Sequence, residues 1–535
     1  MKNGTYILAC DVGTTAIKTC LFRVDDRVSL LESAGEGYPL AVLEGGGAEQ
    51  DPEDWWSAMC VTVGRVLEKA EISPDKIDGI SFCSQMQGLV LVDRQGLPVR
   101  PAMSYMDQRA KDELKKGFNF GITVSGCNIF RLIKSLRITG TVSASVKDPV
   151  WKYKWVEDRE PENFKRVYKW LDVKEYLILK CTGRFIMTTD SAFATMLYDR
   201  RKGREGFSGS MCRMFGVNTK HLPEIIRSTE QAGVLTLEAA KKLGLRAGAP
   251  VFGGGGDASL IGIGAGAIKM GSTHIYCGTS GWVSTVEDRM LTDIGAMIGT
   301  TVGACEGHFN YFAELETAGK CLEWVKDHLA LDEIDIYLEK KHVSDAHEAV
   351  YSSLYDYMMF VINRIPAGSG GVIFTPWLHG NRCPFEDTNA RGMFFNIGLE
   401  TGKTELIRSV LEGICYHMRW MLEAQEKKVR TSQVIRFVGG GALSPQACQT
   451  LADVIGRKVE TVENPQNVGA VGAALVAAVG LGKISGIEQA ESFVSLSGTY
   501  IPNPENREIY DKMFGIFKEL YYSNRKNLAL VNSAN

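Results

Sequence analysis

Apolar residues form short runs near the start of the chain, and a small polar turn separates the first two runs. Residues 6–10 are apolar, Asp11-Val12-Gly13-Thr14-Thr15 follows, and residues 16–22 are again apolar or β-branched. A strand, a Gly-Thr-Thr turn and a second strand predict a β-hairpin. Its tip is small enough for backbone N–H groups and hydroxyls to close around a phosphate oxygen.

The same pattern returns near the middle of the chain, where Gly278-Thr279-Ser280 separates the apolar residues 274–277 from residues 282–286. Two such hairpins predict two related lobes that grip one polyphosphate between them. A nucleotide-dependent phosphotransferase is therefore the first functional hypothesis.

Strand-like and helix-like patterns alternate through both halves, which predicts an α/β architecture. The expected strands are residues 80–83, 89–92 and 434–438, and the expected helices are residues 55–69, 151–157, 317–328 and 401–426. Ser444-Pro445 predicts the start of a further helix, and the chain beyond about Pro502 predicts an amphipathic helix with a frayed end.

Four consecutive glycines, residues 253–256, interrupt these patterns directly before Asp257. Such a run cannot form the interior of a stable helix or strand, so it predicts a bend or a close backbone approach. We place the domain boundary here, with an N-terminal domain over residues 1–257 and a C-terminal domain over residues 258–535.

The composition fits a globular protein of two large domains, with 535 residues, 45% hydrophobic and 23% charged. A net charge of -3 favours neither nucleic acid nor membrane as a partner. The 13 cysteines include no Cys-x-x-Cys pair, which disfavours disulfides and zinc sites. The longest apolar stretch, residues 469–482, is too short to span a bilayer, so we expect a cytoplasmic protein.

Asp11 would face the phosphates across the first turn, and a carboxylate beside a polyanion requires a divalent cation between them. Mg²⁺, held mostly through water, fits this arrangement, and Lys18 would supply further positive charge. An ordinary hairpin with a surface Asp and a surface Lys would explain the same two residues.

Asp257 is the candidate general base, because the glycines before it allow a substrate to approach closely. With an ordinary pKa near ~3.9 an Asp is a weak base at neutral pH. Phosphoryl transfer tolerates a weak base, since its transition state is loose and the base mainly orients the hydroxyl. The alternative is a turn Asp that caps the following helix.

Three further glycine-rich segments resemble nucleotide sites. Residues 439–442, followed by the Ser444-Pro445 helix start, resemble a nucleotide platform, although such turns are common in α/β proteins. Residues 398–404 are one residue short of a Walker loop. Residues 262–267 resemble a dinucleotide fingerprint, but close packing of a helix explains them better.

Taken in order from Asp11 to about Gly480, the motifs resemble the FGGY carbohydrate kinase family, particularly its xylulokinase-like members. Besides the two hairpins, Asp257 and residues 439–444, the matching segments are residues 51–56, 84–88, 100–102, 107–110, 188–190, 389–395 and 411–413. The resemblance implies two ribonuclease-H-like lobes, of the actin and hexokinase type, around a central cleft. It also implies transfer of the ATP γ-phosphate to a hydroxyl of a sugar or polyol.

The resemblance also implies roles for individual residues. Asp257 would be the catalytic base, with Asp11 near Mg²⁺. The residues that would contact ATP are Asp11, Thr14, Thr15, Lys18, Gly278, Thr279, Gly319, Gly440, Gly441 and Ser444. The residues that would contact the sugar are Met86, Gln87 and Asp107.

Three departures from the xylulokinase pattern cluster in the sugar pocket. The chain has Gln87 where His is usual, Ala258 where Asn is usual, and Tyr105-Met106 before Asp107 where Trp-Asn is usual. Because the phosphate motifs are intact, the sequence supports the chemistry more firmly than the substrate. A further departure, Asn396 in place of Gly, is expected to affect only a turn.

The sequence therefore predicts an ATP-dependent kinase of a small keto-sugar or polyol, with D-xylulose as the first choice of substrate. A non-catalytic or regulatory ATP-binding protein on the same fold is the alternative. The sequence is compatible with a homodimer and otherwise leaves the oligomeric state open.

Overall fold

The computed structural model describes residues 4–124, 126–329 and 354–532. Residues 1–3 and 533–535, which are the outer ends of the two predicted domains, therefore lie outside the described residues. The frayed end that the sequence predicted falls in the second of these ranges. Within the described ranges, every helix is either too short or too polar to cross a bilayer.

The first half of the chain alternates strands with helices. Its strands are β1 (Thr5–Val12), β2 (Ala16–Val24), β3 (Val28–Gly37), β4 (Ala41–Leu43), β5 (Gly47–Gln50), β6 (Ile77–Ser84), β7 (Val90–Val92), β8 (Ala102–Met103), β9 (Thr123–Val124), β10 (Cys127–Asn128), β11 (Lys169–Leu171), β12 (Ile186–Thr188), β13 (Tyr198–Asp199), β14 (Gly206–Phe207), β15 (Glu224–Ile226), β16 (Gln231–Val234), β17 (Pro250–Phe252) and β18 (Gly255–Gly256). Its helices are α1 (Pro52–Ala70), α2 (Lys111–Gly117), α3 (Ile129–Ile138), α4 (Pro149–Arg159), α5 (Pro161–Lys165), α6 (Val173–Thr182), α7 (Thr189–Ala194), α8 (Gly209–Phe215), α9 (Leu237–Leu243) and α10 (Asp257–Gly264).

The second half follows the same plan. Its strands are β19 (Thr273–Cys277), β20 (Gly281–Glu287), β21 (Gly299–Val302), β22 (Phe309–Leu315), β23 (Ile373–Thr375), β24 (Met393–Phe395), β25 (Val434–Val438), β26 (Lys458–Val462) and β27 (Leu496–Tyr500). Its helices are α11 (Gly319–His328), α12 (Leu354–Ile362), α13 (Lys403–Glu426), α14 (Pro445–Ile455), α15 (Val468–Gly480) and α16 (Arg507–Asn532).

Each half contains a seven-stranded mixed sheet, and the two sheets have the same core topology. In the first, β3, β2 and β1 run antiparallel, and β6 and β17 extend the sheet in parallel with β1. In the second, β22, β20 and β19 run antiparallel, and β25 and β26 extend the sheet in parallel with β19. The two hairpins predicted from the sequence, β1–β2 and β19–β20, occupy equivalent places in the two sheets.

Two helices from beyond the glycine run, α10 and α15, cover one face of the first sheet. Both helices belong to the apolar core that also contains Ile7, Phe22 and Cys83, and α15 packs along β1 and β6. Their backbones are in contact, because a Cβ on Gly264 would lie 1.9 Å from the carbonyl oxygen of Val468. The interpretation of residues 262–267 as a close helix packing site is therefore confirmed.

The predicted elements are present, with one difference of detail. Gly255–Gly256 form the short strand β18 beside β6, whereas the sequence predicted only a bend or close approach for the glycine run. Asn396, directly after β24, has φ +68°, a backbone conformation that favours Gly. The division at residue 257 stays a prediction, since α10 and α15 follow it in the chain yet pack on the first sheet.

Candidate active site

The first hairpin turn is held in place from its carbonyl side. The Gly13 N–H donates to the carbonyl of Ala16 at 2.9 Å and closes the turn. Tyr38 Oη donates to the Gly13 carbonyl at 2.6 Å, and Gln50 Nε2 donates to the Thr14 carbonyl at 2.8 Å. Thr15 is exposed and Thr14 is partly exposed. The hydroxyls at the tip therefore belong to a turn whose backbone is fixed.

Asp11 and Lys18 face each other across the first hairpin. Lys18 Nζ donates to Asn467 Oδ1 at 2.9 Å, which ties this hairpin to the segment before α15. Burial raises the pKa of Asp11, although the charge of Lys18 works against that shift. A second cation near Asp11 would stabilise its ionised form, so the site fits a bound Mg²⁺.

Asp257 lies where three strand ends of the first sheet meet. β1 pairs with β6 up to Val12 and Ser84, and β18 pairs Gly256 with the same Ser84. The glycines are needed here, because Gly254 has φ +63° and a Cβ on it would lie 2.0 Å from the Phe82 carbonyl oxygen. Asp257 follows directly, at the start of α10, and remains partly exposed.

The environment of Asp257 changes its acidity. Burial raises the pKa of Asp257 to about 7, and Asp11 and Glu314 contribute in the same direction. The N–H of Ala258 donates to Asp257 Oδ1 at 2.7 Å and partly opposes this rise. The sequence predicted a weak base because it assumed the ordinary pKa of an Asp, and the structure corrects that assumption. A carboxyl with a pKa near neutral is well matched to proton transfer at neutral pH.

The second hairpin turn packs against the start of α11. The Gly278 N–H donates to the Ser280 carbonyl at 2.9 Å, and the Gly319 N–H donates to the Gly278 carbonyl at 2.8 Å. A Cβ on Gly319 would lie 2.4 Å from that same carbonyl oxygen, so only glycine fits at this contact. Thr279, at the tip, is exposed.

The glycine-rich turn after β25, residues 439–442, packs against Cys277, the residue directly before the second hairpin turn. Gly439 has φ +93°, and a Cβ on it would lie 2.5 Å from the Cys277 carbonyl oxygen, while a Cβ on Gly441 would lie 2.9 Å from Cys277 Cβ. Gly440 is exposed and has open space beside it. Ser444 is the N-cap of α14, where its hydroxyl accepts from the Ala447 N–H at 3.2 Å. The structure thus brings Gly278, Gly319 and this turn together.

Tyr276 connects the two halves of the site. It directly precedes Cys277 at the end of β19, and its ring stacks on Trp282 at 4.0 Å between centroids. Burial raises the pKa of Tyr276, and the negative charges of Asp11 and Asp257 raise it further. The second hairpin therefore lies close to the two carboxylates of the first lobe.

The predicted sugar residues Met86 and Gln87 lie beside the base. A Cβ on Gly256 would lie 2.1 Å from Met86 Sδ, so the Met86 side chain packs against the residue before Asp257. Gln87 has φ +62°, and Asp172 Oδ2 accepts its N–H at 3.0 Å. Both side chains keep some exposed surface.

Asp107 is buried and paired with a neighbouring arginine. Its side chain is 0% exposed, and Arg109 Nη2 lies 2.6 Å from Asp107 Oδ2. The same oxygen accepts the Ala48 N–H at 2.9 Å. The direct sugar contact that the sequence predicted for Asp107 stays a prediction, and in this structure the carboxylate is enclosed and paired within the protein.

Two residues near the base were not among the predicted contacts. Tyr105 Oη accepts a hydrogen bond from Thr14 Oγ1 at 3.4 Å. Burial raises the pKa of Tyr105, and the negative charges of Asp257 and Glu314 raise it further. Glu314 is the second-to-last residue of β22 and pairs with Arg382 at 2.7 Å. Tyr105 stood in a motif that departs from the xylulokinase pattern, whereas Glu314 carried no signal beyond an acidic residue in an apolar strand.

Within the described ranges, no group of three or more His, Cys, Asp or Glu side chains is arranged to hold a metal. This finding does not conflict with Mg²⁺ at Asp11, since protein sites often hold Mg²⁺ by one or two carboxylates, substrate phosphates and water.

Comparison with known proteins agrees with this geometry. The N-terminal domain of the FGGY family of carbohydrate kinases matches residues 6–264, and the C-terminal domain of that family matches residues 274–481. A xylulose kinase of Bacillus subtilis (strain 168) is 27% identical over 518 residues, which cover 96% of each chain.

Solved structures give the same result. A ligand-bound xylulose kinase from Lactobacillus acidophilus is 26% identical, with a TM-score of 0.81 over 97% of this chain and 98% of that one. A gluconate kinase from Lactobacillus acidophilus matches with the same identity, TM-score and coverage. Since the two family domains together span most of the sequence in the expected order, this chain belongs to the FGGY family of carbohydrate kinases and is an ATP-dependent sugar kinase.

Proposed function

We propose that this kinase phosphorylates a hydroxyl of a small neutral keto-sugar, with Asp257 as the general base and D-xylulose as the first candidate substrate. The observation that carries the proposal is the position of Asp257, which lies among the ends of β1, β6 and β18 with a pKa of about 7. When it is ionised, the Asp257 carboxylate accepts the proton of the sugar hydroxyl and aligns the hydroxyl oxygen with the γ-phosphate.

The remaining predicted residues take positioning roles in this proposal. The hairpin turns at Thr14 and Thr279 contribute N–H groups and hydroxyls to the phosphates of ATP, and Lys18 contributes charge. Gly440 leaves room for the nucleoside, since nothing lies within 4 Å of a Cβ built on it. When bound near Asp11, Mg²⁺ would neutralise charge on the phosphates.

The charges around the base favour a neutral sugar over an aldonate. The cations nearby are already engaged: Arg382 pairs with Glu314 at 2.7 Å, and Lys147 lies 3.5 Å from Glu316. Lys152 is 0% exposed and donates to the carbonyls of Gln87 and Ser104 at 2.8 and 2.7 Å. A substrate carboxylate would therefore meet the negative charges of Asp257 and Asp11, while these three cations are engaged and Lys18 is assigned to the phosphates of ATP.

The experiment is a coupled ADP assay with a panel of pentuloses, hexuloses, polyols and aldonates. We expect D-xylulose or a related neutral keto-sugar to give the highest kcat/KM, and D-gluconate to be a poor substrate. Preference for gluconate would overturn the charge argument, and the absence of sugar-dependent ADP release with every compound would overturn the proposed function.

Replacing Gln87 with His is expected to change the sugar preference more than the affinity for ATP. The side chain lies beside the base, and His tolerates the left-handed backbone at this position better than most residues. A His can also carry a positive charge, which Gln cannot. The measurement is kcat/KM for each sugar and KM for ATP, and an unchanged sugar profile would show that residue 87 does not contact the substrate.

Replacing Gly319 with Ala is expected to weaken the use of ATP. The added Cβ would lie 2.4 Å from the Gly278 carbonyl oxygen and must push the second hairpin turn away from α11. Because displacement of about 1 Å can cost about 100-fold, we expect kcat/KM for ATP to fall about 10- to 100-fold. Gly515→Ala is the matched control, since nothing lies within 4 Å of a Cβ there. Equal ATP kinetics in the two variants would contradict the predicted role of this turn.

A further inference from the structure

One buried lysine lies near the segment before Asp257 and near the proposed sugar-binding turn, Gln87-Gly88. The side chain of Lys174, in α6, is 1% exposed, and its Nζ lies 2.7 Å from Glu175 Oε1 and 3.7 Å from Asp190 Oδ1. It also donates to the hydroxyl of Ser191. Burial works to lower the pKa of Lys174, but Asp190 and Glu175 raise it above its ordinary value. The lysine is therefore charged inside the first lobe.

Asp190 connects this lysine to the catalytic base. Its Oδ2 accepts the N–H of Gly256, the residue before Asp257, at 2.7 Å. Its Oδ1 accepts the Thr188 hydroxyl at 2.5 Å and the Ser191 N–H at 2.9 Å. With both oxygens occupied, Asp190 holds the backbone from which Asp257 extends.

Asp172 connects the same lysine to the turn at Gln87 and Gly88. Its Oδ1 accepts the Gly88 N–H at 2.9 Å, and its Oδ2 accepts the Gln87 N–H at 3.0 Å. Asp172 is 4% exposed; burial and the charge of Glu175 raise its pKa above the ordinary value, and the charge of Lys174 opposes that rise. The charge of Lys174 thus interacts with Asp190 and Asp172 as well as with Glu175, and Asp190 and Asp172 each accept hydrogen bonds from a different loop of the site.

We propose that Lys174 and Asp190 are positioning residues for phosphoryl transfer. They fix the position of Asp257 through Gly256, and Asp172 fixes the positions of Gln87 and Gly88. This assignment rests on the proposed role of Asp257. A buried ion pair is weak evidence for stability, since apolar residues of similar volume often replace one at no cost. The geometry gives these carboxylates a second task, because Asp190 accepts the backbone N–H of Gly256 and Asp172 accepts those of Gln87 and Gly88.

The test compares Asp190→Ala with Asp190→Asn. Ala removes the acceptor for the Gly256 N–H, whereas Asn keeps an oxygen there. We expect Asp190→Ala to lower kcat about 10- to 100-fold, as a displacement of the base would, while KM for ATP changes less than about twofold. Asp190→Asn should recover part of the lost kcat. Equal kcat in Asp190→Ala and wild type would overturn the proposal.

A second pair of variants distinguishes a loss of positioning from a general loss of folding. Lys174→Met removes the buried charge, and Lys180→Met removes a partly exposed lysine of the same helix that pairs with Glu53 at 2.8 Å. We expect kcat to fall for Lys174→Met and to stay within about twofold of wild type for Lys180→Met. Parallel losses of sugar turnover, ATP affinity and thermal stability in Lys174→Met would indicate a structural role and overturn the proposal. Failure of wild type and Lys180→Met to phosphorylate any sugar would instead reject the proposed function.

Discussion

Asp257→Asn is expected to lower sugar-dependent kcat by about 100- to 10,000-fold, the usual contribution of a general base. Asn has nearly the same shape as Asp and keeps an oxygen for the Ala258 N–H, but it cannot accept the proton of a sugar hydroxyl. ATP binding should be largely retained, because the nucleotide contacts are assigned to other residues. Steady-state kinetics and ATP titration measure the two effects separately, and undiminished phosphorylation would remove Asp257 from its role.

The pH dependence of the wild-type enzyme provides a second measurement of the same group. Because the pKa of Asp257 is about 7 and only the ionised carboxylate can act as a base, kcat/KM for the sugar should rise with pH through about 7. An Asp with its ordinary pKa would instead give a flat profile from pH 5 upward.

The same shift has an effect on stability with a definite sign. Between the ordinary pKa of Asp and about 7, the folded protein binds the Asp257 proton more tightly than the unfolded chain does. The contribution of this group to stability is therefore lost as pH rises through about 7. Asp257→Asn removes that loss, so the variant should unfold at a higher urea concentration than wild type at pH 8. Reduced activity together with increased stability would exclude unfolding as the cause.

Gly264→Ala is expected to destabilise the protein by about 1–3 kcal/mol or more, the usual cost of overpacking a buried site. The added Cβ would lie 1.9 Å from the Val468 carbonyl oxygen and 3.0 Å from the Gly472 nitrogen. These are backbone atoms of α15, so a side-chain rotation cannot relieve the contact. The helices must separate, and apolar contacts in the core beneath the first sheet are lost.

The effect of Gly264→Ala should reach the active site as well. Asp257 begins α10, and Gly469 lies close to Asp11, since a Cβ on Gly469 would lie 2.8 Å from Asp11 Oδ2. Separation of α10 from α15 therefore moves the base relative to the phosphate site. We expect kcat to fall together with the urea midpoint.

Gly64→Ala is the matched control. Gly64 is exposed in α1, and nothing lies within 4 Å of a Cβ built there. Ala should stabilise this helix by about 0.5–1 kcal/mol relative to Gly. Urea unfolding, followed by fluorescence and by residual kinase activity, compares the two variants. Equal midpoints for Gly264→Ala and Gly64→Ala would show that the helix contact is not as close as described.

The elements of the two sheets were largely predictable, because their signals are local. An apolar run, a Gly-Thr turn and a second run specify a hairpin through backbone geometry alone, and both hairpins are present. Ser444-Pro445 begins α14 as a Ser N-cap with Pro at the first turn would. The glycines within residues 262–267 also indicated a close helix packing site, although they did not identify α15 as the partner of α10.

The chemistry of the site was less predictable, because it depends on neighbours distant in the chain. Asp107 appeared to be a pocket residue by its motif, but Arg109 and the Ala48 N–H enclose it. Lys174 lies in an ordinary helical pattern, and nothing in that pattern distinguishes it from the partly exposed Lys180 on the same helix.

The amino-acid sequence by itself determined the two hairpins, the α/β architecture and the family, since turn residues and apolar periodicity act through contacts between near neighbours. The tertiary structure alone decided the acidity of Asp257 and the partners of Lys174. Burial and the charges of Asp11, Glu314 and Asp190 act through space, and folding brings these groups together from segments that are far apart along the chain.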